Sequence, residues 1–143
     1  GLPHFDFHFY TITPEAVAAI PPYEVDSSKH KNWPAPAYFP ATYFNPGGGV
    51  PKMGVHWLDF TSPELSGAPF TQTFIYGSYD GKVTFYEPMI TEAFILANSG
   101  FVRDIPQPAK YQTTGYYPTK MRIAKINNIT NIILEGFVLR QAS

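Results

Sequence analysis

Asp80-Gly81 sits between two runs rich in aromatic and β-branched residues that together span Phe70 to Glu87. An Asp-Gly pair supplies the positive φ angles of a two-residue type I′ turn, and such a turn locks its flanking strands into an antiparallel hairpin of defined register. No other feature restricts the fold as sharply. Counting back from the turn pairs Tyr76 with Phe85 and Phe74 with Glu87, which places Glu87 on an apolar, aromatic face.

The rest of the chain extends this β-rich reading. From Leu2 to Ile12, Phe5, Phe7 and Phe9 alternate with His4, Asp6, His8 and Tyr10, the period-two pattern of a strand with one buried face. Asn127-Asn128 supplies a second hairpin turn, setting Ile123 against Ile132, Met121 against Leu134 and Lys120 against Glu135. Gly54 to Phe60 reads as a short strand carrying His56-Trp57. Two short helices are expected. One follows Thr13 as N-cap and Pro14 at the first helical position, and the other covers Pro88 to Asn98 with Gly100 as its stop. Pro21 to Pro51 holds seven prolines and the run Gly47-Gly48-Gly49, too punctuated for regular structure. The same stretch carries Trp33, Tyr38, Phe39, Tyr43 and Phe44, too aromatic for a disordered linker. It is expected to be an ordered arm or lid over about residues 29–51, with those aromatics laid on a neighbouring subunit. The sum is a single α+β domain over residues 1–143, mainly antiparallel β, built as a small barrel or as a sheet with two short helices.

Composition narrows the partners. Only 15% of residues are charged, with ten basic and eleven acidic side chains, so no basic surface exists to neutralise a row of phosphates and nucleic acid is not expected. No apolar run reaches the roughly 20 residues of a membrane-spanning helix. Cysteine is absent, which removes disulfides, thiolate metal sites and Cys nucleophiles together. The chain begins Gly1-Leu2-Pro3, as a mature exported product would after loss of a signal peptide, so a periplasmic, cell-surface or extracellular location is expected. Residues 1–104 carry five basic and ten acidic side chains, a balance of −5, whereas residues 105–143 carry five and one, a balance of +4. Opposite-sign ends suit a head-to-tail contact between copies, and the partner expected is the chain itself.

One group of residues suggests chemistry. His4, Asp6 and His8 alternate on one face of the first strand, and His56 and Glu87 lie on other strands. Imidazoles and carboxylates in this pattern are ligands for a divalent ion. His4 and His8 lie about 13 Å apart at roughly 3.3 Å per residue, too far to share an ion without a bulge. The expected set is therefore Asp6 with His4 or His8, completed by His56 and Glu87. Nitrogen and oxygen ligands alone favour zinc, manganese, iron or nickel. The competing reading is a hydrogen-bonded polar seam without an ion, and acid/base chemistry without a metal is a third. Other motifs carry less. Gly47-Gly48-Gly49 lacks the Lys and Ser/Thr of a phosphate cradle, Ser78 is misplaced for a nucleophile elbow, and Asn128-Ile129-Thr130 is a glycosylation sequon already explained by the turn.

Three segments, His4-Phe5-Asp6-Phe7-His8-Phe9-Tyr10, Gly54-Val55-His56-Trp57-Leu58-Asp59, and Phe74 to Met89 with Phe74-Ile75-Tyr76-Gly77-Ser78-Tyr79-Asp80-Gly81 leading to Glu87-Pro88-Met89, carry a resemblance. In this order they resemble a family of small exported bacterial proteins defined only as a domain of unknown function. The likeness covers about two thirds of the chain, leaving out Lys29 to Pro51 and the C-terminal hairpin. It implies an exported, oligomeric, β-rich domain, and it brings no reaction, substrate or catalytic residue. The function expected is thus that of an exported self-assembling protein, structural or binding, without a catalytic motif. The alternatives are a metal-binding protein or metal-dependent enzyme using the His/Asp/Glu set, and a small-molecule or carbohydrate binder on a tyrosine platform.

Overall fold

The computed structural model describes residues 1–143 and gives an α+β chain in which antiparallel strands dominate. In chain order the elements are β1 (His4–Asp6), β2 (Phe9–Tyr10), α1 (Pro14–Ala18), α2 (Ser28–Lys31), β3 (Tyr43–Phe44), β4 (Val55–Asp59), β5 (Gln72–Tyr79) and β6 (Lys82–Thr91). They continue with α3 (Glu92–Ala97), β7 (Val102–Asp104), β8 (Gly115–Tyr117), β9 (Lys120–Ile126), β10 (Ile129–Glu135) and β11 (Val138–Arg140). β1 and β2 both pair with β6, and the main six-stranded sheet continues through β5 and β4 to β3. A three-stranded sheet, β10-β9-β7, and a two-stranded one, β11-β8, stand apart from it, so the strands close no barrel. No helix is long and apolar enough to cross a membrane.

The turns behave as their sequences require. Asp80 and Gly81 take φ angles of 51° and 77°, and Asn127 and Asn128 take 50° and 63°, the left-handed pair of a type I′ hairpin. In the second hairpin the register is Ile123↔Ile132, Met121↔Leu134 and Lys120↔Glu135, as the turn dictates. The charges there do not pair straight across: Lys120 Nζ reaches Asp104 Oδ1 at 2.7 Å, while Arg122 takes Glu135 at 2.6 Å.

The first hairpin departs from its expected register. Next to the turn Tyr79 pairs with Lys82 and Ser78 with Val83, but the next pair is Gly77↔Phe85, so Thr84 is an extra residue forming a β-bulge. Beyond it Tyr76 faces Tyr86 rather than Phe85, and Phe74 faces Pro88 rather than Glu87. Side chains alternate with period two, so the one-residue slip sends Glu87 to the sheet face opposite Phe74 and Tyr76.

Both expected helices exist, with altered bounds. Thr13 caps α1, its Oγ1 accepting from Ala16 N at 3.1 Å. The second begins later than Pro88, because β6 runs on to pair Thr91 with His4, and Thr91 is then the N-cap of α3, accepting from Phe94 N at 3.1 Å. The core lies on the inner face of the main sheet. Val55, Trp57, Phe74, Tyr76, Tyr86 and Ile90 pack there in one cluster with Met121 and Ile123 of β9 and with Phe39 and Tyr43 of the arm.

Candidate functional site

The outer face of the main sheet carries a different set of side chains. Glu87 of β6 is 3% exposed, and two imidazoles close over it. His8 Nε2 lies 2.8 Å and His56 Nε2 3.2 Å from the same oxygen, Glu87 Oε1, and one ligating atom from each of the three residues lies within 4.8 Å of the others.

Three local features bring together residues that are far apart in sequence. His8 falls in the break between β1 and β2, where Phe7 N donates to Pro88 O at 3.0 Å and Phe9 pairs with Tyr86. That register holds His8 above the neighbour of Pro88, which is Glu87. The Thr84 bulge turns Glu87 outward. His56 comes from β4, which is two strands away from β6, a distance of about 9.6 Å that an imidazole must lean across. It pairs with Gly77, the one residue of β5 that leaves room. A Cβ on Gly77 would lie 2.0 Å from the Phe85 ring, so the ring rests directly on the glycine backbone. Phe85 then forms an aromatic base for the cluster, with its centroid 5.3 Å from His8 and 5.2 Å from His56.

The polar bookkeeping of the cluster is incomplete. His8 Nε2 and Glu87 Oε1 are buried and approach closely, yet neither makes a hydrogen bond of proper direction. A buried carboxylate without directed partners is costly, and a cation seated among the three atoms would remove that cost. Ligands about 2.0–2.2 Å from an octahedral or tetrahedral ion lie roughly 2.8–3.6 Å from one another, a range that includes the 2.8 and 3.2 Å between the two imidazole nitrogens and Glu87 Oε1. Three protein ligands leave one or more coordination positions open.

His4 and Asp6 stand outside this cluster. They are exposed and face one another at 3.4 Å, and His4 Nδ1 lies 2.9 Å from Leu2 O. Asp6 pairs with Met89, two residues along β6 from Glu87, or about 6.6 Å at the rise of a strand. The expected ligand set thus separates into His8, His56 and Glu87, which converge, and His4 and Asp6, which pair only with each other. Tyr10 belongs beside the converging set: it stacks on His8 with centroids 5.9 Å apart and an interplanar angle of 16°. Burial raises its phenol pKa, and the Glu87 charge adds to the rise. The alternation of the first strand already places Tyr10 two residues beyond His8 on the same face.

The fourth histidine, His30, is fully buried, its Nε2 2.9 Å from Pro21 O and its ring edge against Tyr79. A Cβ on Gly49 would lie 2.2 Å from its Nδ1, so the triglycine run closes over this ring. His30 lies apart from the other histidines and packs beneath the arm, its Nδ1 buried without a hydrogen-bond partner. Among the arm aromatics, Phe39 stacks on Trp57 at 4.3 Å and Tyr43 donates to Phe74 O at 2.6 Å, both within the chain's own core. Tyr38 is partly covered and donates to Ser143 O at 2.8 Å, while Trp33 and Phe44 keep exposed surface.

No protein-family model matches the chain, and neither a curated protein nor a solved structure matches it.

Proposed function

We propose that the protein binds a divalent first-row transition ion through His8 Nε2, His56 Nε2 and a Glu87 carboxylate oxygen. The observation that carries the reading is the convergence of two imidazole nitrogens on one buried carboxylate oxygen that has no directed hydrogen bond. A set of two histidines and one carboxylate with free coordination positions is the donor pattern of zinc and of non-haem iron or manganese. No protein group holds Nδ1 of either histidine, so the outer side of the site is left to water and the ion is expected to exchange readily.

The test is elemental analysis of protein prepared without chelator, then dialysed against zinc, manganese or iron(II), beside His56→Ala, Glu87→Gln and His4→Ala. Stoichiometric metal in the unmutated chain and in His4→Ala, with loss in the other two, supports the reading. Equal metal in all four, or none in any, refutes it and leaves the three residues as a polar seam.

A second reading, self-assembly, draws on exposed apolar surface. Tyr116, Phe137 and Leu139 are 70%, 55% and 49% exposed on or beside the small β8/β11 sheet, and Trp33 of the arm is 52% exposed. Exposed apolar clusters of this kind mark contact surfaces. Light scattering at micromolar concentration decides it: a mass near the 16.0 kDa of a single chain excludes assembly.

A further inference from the structure

A recess of about 940 Å³ opens on the inner side of the main sheet, between β5 and β6 and the segment 108–118 that leads into β8. Small-molecule sites span roughly 300–1,000 Å³. Seven of the ten tyrosines line it. Tyr76 and Tyr86, both nearly buried, form its floor, and Tyr111 and Tyr117 belong to its wall.

These rings are held in place without a ligand. Tyr76 Oη donates to Pro106 O at 2.6 Å, Tyr111 Oη to Gln107 Oε1 at 2.6 Å, and Tyr117 Oη to Thr113 O. Their hydroxyls are already used, so they offer a visitor mainly ring faces. Gln112 ties the wall to the β5–β6 turn, accepting from Val83 N at 3.0 Å and donating to Gly81 O at 2.7 Å, so its amide is used too. The charged side chains of the lining are two exposed ammonium groups, Lys82 and Lys110, and one carboxylate, Asp80, none of them in an ion pair, so positive charge is in excess there. Asp80 accepts from Asn32 Nδ2 at 3.2 Å.

This combination discriminates among ligand classes. A neutral sugar needs several amide and carboxylate side chains around its hydroxyls, and this lining offers one carboxylate, Asp80, and one amide, Gln112, that is already bonded through both its oxygen and its nitrogen. A cation would meet the two lysines. Flat rings fit between fixed aromatic faces, where stacked and edge-on pairs add attraction beyond area burial. We infer that this recess binds a planar aromatic anion, an aryl carboxylate or sulfonate, with its ring system between the tyrosines and its acidic group at Lys82 and Lys110. The tyrosine floor of the recess and the histidine cluster lie on opposite faces of β6, and Tyr10, which stacks on His8, is the residue that borders both.

The test uses 8-anilinonaphthalene-1-sulfonate and its uncharged counterpart N-phenyl-1-naphthylamine as fluorescent probes on the full chain. The sulfonate should bind saturably to a single site, about tenfold more tightly than the neutral dye, equivalent to ~1.4 kcal/mol. The Lys82→Ala/Lys110→Ala double variant should bind both dyes equally, with the neutral dye unchanged, since both lysines are exposed and their loss leaves the fold intact. Amide shifts in the nuclear magnetic resonance spectrum should concentrate in residues 80–86 and 108–118. Equal affinity for the two dyes in the unmutated protein overturns the inference, as does absence of saturation, mapping of the shifts to the histidine face, or displacement of the sulfonate by cellotetraose.

Discussion

Strand β6 presents two chemistries on its two faces. Inward, Tyr86 and Ile90 join a core whose buried phenols Tyr43 and Tyr76 donate to the carbonyls of Phe74 and Pro106. Outward, Glu87 is as deeply buried as those phenols but lacks a directed hydrogen bond. The inner face settles its polar groups within the chain, as buried groups normally do. The outer face instead sets two imidazole nitrogens 2.8 and 3.2 Å from its buried carboxylate.

The two faces should fail in different ways. Phe74→Ala on the inner face removes a fully buried ring and should cost ~3–5 kcal/mol in urea unfolding, with or without metal. A loss under about 1 kcal/mol would mean that the core is not where the stability resides. On the outer face, free zinc at a hundred times its dissociation constant should add about 2.7 kcal/mol to the unfolding free energy. Glu87→Gln should abolish that gain, and retention of the gain would locate the ion elsewhere.

Their pH limits should also lie at opposite ends. Burial raises the phenol pKa values of Tyr43, Tyr76 and Tyr86 above the ordinary 10.0. The folded chain then keeps protons that the unfolded chain releases, so this contribution is complete below pH 10 and is lost as pH rises above it, at ~1.4 kcal/mol per phenol per unit. Ultraviolet titration should show these phenols ionising together with alkaline unfolding, and smooth ionisation of all ten tyrosines before unfolding would contradict it. The zinc-dependent gain should fade toward acid instead, because protons compete for the same imidazole lone pairs. The smallest effect belongs to His4→Ala. This exposed ring, paired only with Asp6 and Leu2 O, should leave metal content unchanged and move stability by less than ~0.5 kcal/mol.

Much of the fold was legible from local chemistry. Asp80-Gly81 and Asn127-Asn128 announced their hairpins because few residues tolerate the left-handed backbone they adopt, and Thr13-Pro14 announced α1 because a hydroxyl before a proline satisfies a helix start. The arm was legible as ordered but not as to what it covers: a ring that stacks on its own Trp57 and one that would stack on a neighbour have the same sequence pattern. Of the candidate ligands, residue type was sufficient to nominate His8, His56 and Glu87 but not to exclude His4 and Asp6. That exclusion depends on which residue of β6 lies opposite each one.

By itself, the sequence determined what acts over a few residues: the turns, the caps, the alternation of the first strand, and the nitrogen and oxygen donors available in a chain without cysteine. Only the tertiary structure decided which donors meet. A pleated strand repeats every two residues, so the single extra residue at Thr84 exchanges the faces of everything beyond it, and no short-range pattern marks that residue as the extra one. The bulge becomes visible only when β4, β5 and β6 lie side by side. Gly77 then lets Phe85 lie flat, and His56 can reach across to the carboxylate that the bulge has turned toward it.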